Sequence, residues 1–282
     1  MAHHHIQSEP TSRLAIWARR MAAFAFVASF LAVIIVRSGL LEIRPALATF
    51  AGALAIAVVA IVLALAAFVV IWTEGLAGIG AALTAMAVSL ALLAYPAYFA
   101  LKAYRLPWIY DITTDPIDPP RFEALARLRV RDANPTTYAG LYAAEQQRAA
   151  YPDVGPLGTN ATVQAAYDAA LAVVNKRRWR IVDARAPQAG RREGRIEAVA
   201  RTPIMGFRDD VVIRVRAETD GARIDARSSS RYGSFDFGTN AARVRGLMND
   251  IEDAIRAQKP ERPPPTQQPA KKSTGKKDQP KR

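Results

Sequence analysis

Cysteine is absent from all 282 residues, which excludes disulfides, thiolate nucleophiles, cysteine zinc sites and lipid attachment through sulfur. Histidine is nearly as scarce. The only three, His3, His4 and His5, fit a plain loop or a purification-tag remnant better than a metal site. No His–Ser triad can therefore be assembled further along, and neither a metal nor a cofactor is expected.

Charge is missing from long stretches near the N-terminus. Met21 to Val36 is uncharged over sixteen residues, Pro45 to Thr73 over 29 and Gly75 to Leu101 over 27. The first rises only about 24 Å as a helix and spans a roughly 30 Å core only if flanking arginines snorkel. The other two span readily with some tilt. Trp17, Trp72, Tyr95, Tyr98, Tyr104 and Trp108 fall at the ends of the runs, where rings sit at headgroup level. A cleavable signal peptide fits poorly, because the first run has no small-residue cleavage site and two more runs follow. Three membrane helices are expected, at about 21–37, 46–72 and 76–101. No acidic or basic residue lies within the three uncharged runs, so nothing points to an ion path or transport site. The lipid bilayer is thus the first expected partner.

Of the net charge of +13, +6 belongs to residues 259–282. That tail is rich in Pro, Lys and Gln and reads as disordered. No aromatic ring is interleaved with its lysines, as stacking on bases would need, so no specific nucleic-acid partner is expected. Arg13, Arg19 and Arg20 favour a cytoplasmic N-terminus, while Arg37, Arg44, Lys102 and Arg105 pull the other way.

Residues 1–12 read as a flexible N-terminus, 13–105 as the membrane region, and 106–158 as a Pro-rich strap with a short helix at Thr136 to Ala149. Asp111, Asp115 and Asp118 are spaced like calcium donors, but the segment lacks the central Gly and closing Glu of a calcium loop. Turn-forming aspartates before proline fit better. A soluble α+β domain is expected over 159–258. Its first helix runs from Ala161 to Arg178, capped by Asn160, with Val163, Ala166, Tyr167, Ala170, Leu171 and Val174 as an apolar stripe. Four strands follow at Trp179–Ala184, Arg195–Thr202, Asp210–Glu218 and Ala222–Ser229. A last helix runs from Asn240 to about Gln258. The fold class is therefore a multi-pass membrane protein: three helices, then a helix, a four-stranded antiparallel sheet and a helix.

Asp220-Gly221 is a two-residue hairpin signal. Centred there, the turn pairs Val215 with Ala226, Ala217 with Ile224, Glu218 with Arg223, Arg216 with Asp225 and Arg214 with Arg227. The last pair sets like against like. An internal ion network with Asp225, Asp209 and Asp210 would satisfy both arginines. The functional alternative is an anion-accepting surface of Arg201, Arg214, Arg227, Arg231 and Arg243, opposed by Asp209, Asp210, Asp225 and Asp236, with Ser228, Ser230 and Asn240 beside the start of the last helix. No catalytic residue is assignable. Asp209 or Asp210 could serve as a general base in a hydrolase or transferase, although adjacent strand residues point to opposite faces.

Three segments carry a family resemblance: Asp111-Ile-Thr-Thr-Asp-Pro116, Arg201-Thr-Pro-Ile-Met-Gly-Phe-Arg-Asp-Asp-Val-Val-Ile-Arg214, and Asp225 through Arg243. From about Trp108 to Arg256 the chain resembles the bacterial and plastid family known as domain of unknown function fourteen-ninety-nine. That resemblance implies a domain without an established activity, often membrane-tethered and often outside the cytoplasm. It favours a cytoplasmic N-terminus and a periplasmic domain on the inner membrane. The paired cysteines that many relatives carry before the domain have no counterpart here. The expected function is a membrane-anchored, non-enzymatic envelope module that binds an anionic ligand or an envelope protein. A hydrolase or transferase and a structural subunit of a membrane complex are the alternatives.

Overall fold

The structure, a computed structural model, describes residues 10–39, 43–188 and 193–258. The three histidines and the basic tail from Lys259 onward lie outside the described residues.

Three helices, α1 (Arg13–Ser38), α2 (Ile43–Glu74) and α3 (Ile79–Ala103), are each long and apolar enough to cross a membrane. The first exceeds expectation: its 26 residues span about 39 Å, because Arg13, Arg19 and Arg20 continue the helix rather than end the apolar run. The side chains are sorted by size. Ala15, Ala18, Ala22, Ala60, Ala64 and Ala67 are buried where the helices meet, while Phe24, Phe30, Val62, Leu65 and Val69 point outward and are exposed. In water that arrangement would be costly; small residues inside and large apolar ones outside suit helices surrounded by an apolar medium. At one end, Ser12 donates from its backbone to Ala77 and Ala77 to Pro10, so the chain start and the α2–α3 turn lie together. The α+β domain is joined to the opposite end.

The sheet has six strands, not four. Arg180–Arg185 (β3), Glu193–Arg201 (β4), Arg208–Glu218 (β5) and Gly221–Ser230 (β6) lie within two residues of their expected bounds. Two short strands, Asp111–Thr113 (β1) and Leu157–Thr159 (β2), both add antiparallel to β6 along its free edge, giving the order β1-β6-β5-β4-β3 with β2 beside β6. Both come from the segment read as strap and turn. Three residues are too few to show a two-residue period, and their strand geometry comes from the partner. Helices α4 (Ala124–Leu128) and α5 (Gly140–Ala150) lie between them. Gln147 on α5 exchanges two hydrogen bonds with the backbone of Thr113, accepting at 3.0 Å and donating at 2.7 Å, and so closes the outer edge of β1.

The expected hairpin register is also corrected. Val215 pairs with Ile224, Arg214 with Asp225, Arg216 with Arg223, and Glu218 with Gly221, so the turn residues are Thr219 and Asp220. The two-residue slip leaves every side chain on its expected face, since strand faces repeat every two residues. It removes the Arg214/Arg227 opposition. Gly221 is required for a different reason: at φ +148°, a Cβ there would lie 2.0 Å from the carbonyl oxygen of Thr159 on β2.

Helix α6 (Val163–Lys176) starts two residues later than expected, and its cap is Thr162, whose hydroxyl accepts from the amide of Ala165, not Asn160. Helices α6 and α7 (Thr239–Gln258) cover one face of the sheet. Ile196, Ile213, Ile224, Val174, Leu247 and Ile251 are buried between them, each contributing roughly 1.5–3 kcal/mol. Ile112 and Tyr151 join the same core, so the segment before residue 159 is integral to it. On the opposite face Phe122 and Leu125 pack on Val199 and Val212. There Glu197, fully buried, accepts the amides of Glu123, Ala124 and Leu125 and anchors the start of α4.

Candidate functional site

The twelve polar residues singled out in the sequence divide between the two faces of the sheet. On the face that carries α4, Arg214 meets Asp118 at 3.0 Å and Asp225 at 3.2 Å. Arg227 is gripped by both carboxylate oxygens of Asp111, at 2.9 and 2.6 Å. Asp210 accepts from Arg231 at 2.8 Å and Arg129 at 2.7 Å. Asp111, Asp115 and Asp118, weighed as calcium donors, are all engaged by arginines, Asp115 by Arg223 at 3.0 Å.

On the helix face Asp209 takes Arg243 at 2.5 Å. Ser228 donates to Asn240 at 2.7 Å, and Asn240 donates to Ser230 at 2.9 Å. Asp236 accepts the amides of Gly238 and Asn240 at 2.9 and 2.7 Å and so caps the start of α7. The neighbours Asp209 and Asp210 point to opposite faces, as alternation along a strand requires. Most of the charged constellation is internal: Arg214, Arg227, Arg231 and Arg243 each have a buried aspartate partner. Arg201 stands apart, exposed, donating at 3.4 Å to the Arg37 carbonyl.

A feature without a local sequence signal lies where the membrane-length helices meet the domain. The β4–β5 turn, closed by the Thr202 amide donating to the Phe207 carbonyl and the Phe207 amide donating to the Thr202 hydroxyl, is seated on the end of α1. The Arg37 guanidinium donates to the carbonyls of Pro203 and Ile204 at 2.6 and 2.8 Å, and Met205 is buried against Val36 and Ala46. A Cβ on Gly206 would press within 2.8 Å of Arg37 Cγ. Beside this joint is a cavity of about 510 Å³. Leu47, Phe50, Tyr95 and Phe99 of α2 and α3 form one wall; Met205, Phe207, Phe235 and Phe237 form the other; Asp209, Ser230, Asp236 and Thr239 supply the polar end. Phe99 meets Phe237 edge to face at 5.3 Å. Burial pushes the carboxyls of Asp209 and Asp236 above the usual carboxylate range, against the pull of Arg243 on Asp209 and of the capped amides on Asp236.

The architecture defines a class: an α+β domain seated by its β4–β5 turn on a bundle of three membrane-length helices, with a cavity at the joint. Residues 111–251 match the family described as protein of unknown function (DUF1499), and the chain belongs to that family. The matched span includes the β4–β5 turn and both aspartate–arginine networks, whereas the three long helices precede it. No curated protein matches the chain.

Proposed function

We propose that this is a multi-pass inner-membrane protein whose α+β domain is a non-enzymatic binding module of the cell envelope, with the cavity at the helix–domain joint as its binding site. The cavity carries this reading: it has the volume of a small-molecule site, mostly apolar walls and a few convergent polar groups. Of the constellation, Asp209, Ser230 and Asp236 reach it, while Arg214, Arg227, Arg231 and Arg243 are paired with aspartates inside the domain. The outward-facing large side chains of α1–α3 support membrane crossing. A cytoplasmic N-terminus with a periplasmic domain is the orientation that Arg13, Arg19 and Arg20 favour and Arg37, Arg44, Lys102 and Arg105 oppose, and the family resemblance tips the choice toward it.

Full-length protein extracted in mild detergent should carry a bound amphiphile, detected by mass spectrometry. Phe99→Trp, which fills the cavity, should lower its occupancy several-fold. A protein that leaves the membrane fraction without detergent would overturn the anchoring. An intact membrane protein that retains no amphiphile would overturn the binding site.

One observation favours a second reading. Asp209 borders the cavity with a raised pKa, as a general acid of a hydrolase or transferase would. Turnover of ester, phosphate or glycan substrates that Asp209→Asn abolishes would establish it. Against it, the Asp209 carboxylate is already committed to Arg243.

A further inference from the structure

Arg208, the first residue of β5, borders a second cavity of about 440 Å³ as well as the first. This second space is lined by Arg177, Arg178, Arg180, Arg201, Trp179 and Val199, without a carboxylate among the described residues. Elsewhere in the domain the buried arginines are matched by aspartates. Here Arg177 has Asp250 at 2.8 Å and Arg201 has one carbonyl at 3.4 Å, but Arg178, Arg180 and Arg208 have no hydrogen-bonding or ion-pair partner for their side chains among the described residues. Arg201 and Arg208 also stand directly opposite each other across β4 and β5, a like-charge pairing that is unfavourable by itself. Burial and the neighbouring Arg201, Arg231 and Arg180 push Arg208 below the ordinary guanidinium value. An anion among these groups would relieve both the repulsion and the missing partners.

We propose that the two cavities meeting at Arg208 form one site for an anionic phospholipid of the surrounding bilayer, its phosphate among Arg180, Arg201 and Arg208 and an acyl chain along Phe50, Phe99, Met205 and Phe207. This rests on the reading of the chain as a membrane-anchored binding module. Lipid is the occupant because the apolar cavity takes one wall from α2 and α3, so a bilayer molecule reaches it sideways, and because the arginines lie next to Arg37 and Gly39 at the end of α1. Guanidinium groups suit phosphate through paired donors.

The test is native mass spectrometry of the full chain in neutral detergent, titrated with phosphatidylglycerol, with diacylglycerol as the phosphate-free probe and inorganic phosphate as competitor. Phosphatidylglycerol should bind at least about tenfold more tightly than diacylglycerol, and Arg201→Gln/Arg208→Gln should remove about tenfold or more of that affinity while leaving diacylglycerol unchanged. Because neither arginine has an acidic partner among the described residues, thermal unfolding of the variant should be unchanged or improved, which separates lost binding from lost folding. Arg180→Gln should reproduce the loss in part, and Arg105→Gln, an exposed site outside the cluster, should not. Equal binding of the two lipids, equal loss in Arg105→Gln, or displacement by inorganic phosphate as effective as by lipid would overturn the proposal. Retention of diacylglycerol without a preference for phosphatidylglycerol would defeat this inference alone; loss of both would defeat the binding module itself.

Discussion

Arg227 shows what the aspartate–arginine pairs do for the domain. It is 1% exposed, both its terminal nitrogens and its Nε are used, and its guanidinium lies 4.6 Å from the centre of the Phe122 ring. Removing one member of such a pair leaves a buried charge alone, so Arg227→Met should cost about 3–5 kcal/mol in denaturant unfolding, and a companion Asp111→Leu should restore part of it. A non-additivity near zero would show that the two groups do not interact. Burial raises the hydroxyls of Tyr138 and Tyr151 to about 12. For an acid raised from 10 to about 12, the contribution to stability is complete below pH 10 and is lost as pH climbs through about 12. Absorbance at 295 nm should therefore show Tyr138 and Tyr151 among the late-titrating tyrosines, the contribution of each removed by its Tyr→Phe substitution. Residue types were legible at this scale, since the Asp and Arg of the family motifs are those in the network. Their partners were not, because Asp111 and Arg227 lie 116 positions apart.

The elements most visible in the sequence were those with enough length to repeat a pattern: α6, α7 and the strands β3 to β6. Shorter elements depend on neighbours. Strand β2 exists because Gly221 lets the Thr159 backbone approach β6, so Gly221→Ala should detach it, read as faster hydrogen exchange at Thr159 and its neighbours with slower change in β4. Unaltered exchange would contradict that role. At the start of α7, Asp236→Ala should remove about 1 kcal/mol, the usual worth of a cap, measured by thermal unfolding. The hairpin turn was misplaced for a related reason. Asp-Gly is a strong local turn signal, but the glycine here answers a contact from outside the hairpin, and the turn forms one residue earlier.

For the whole molecule the decisive feature is the joint between helices and domain. The absence of cysteine makes topology measurable with single introduced cysteines. Asp220→Cys in the domain should react with an impermeant maleimide in intact cells whose outer membrane has been opened, and Glu74→Cys in the α2–α3 turn should not. The reverse pattern would invert the orientation. Arg37→Ala removes both bonds to the β4–β5 turn and should loosen the domain, seen as earlier protease cleavage between the helices and the domain.

Composition and periodicity alone determined the three membrane-length helices, the α+β class and the sheet faces, because each follows from patterns within a few turns or strands of chain, while the family was legible only through the resemblance of three motif segments. Tertiary structure decided the six-stranded sheet, the hairpin register, the pairing of each arginine and the cavity at the joint. These depend on residues far apart in sequence meeting at ångström range, where one carbonyl beside Gly221 or one carboxylate beside Arg227 settles the outcome, and no local pattern encodes that distance.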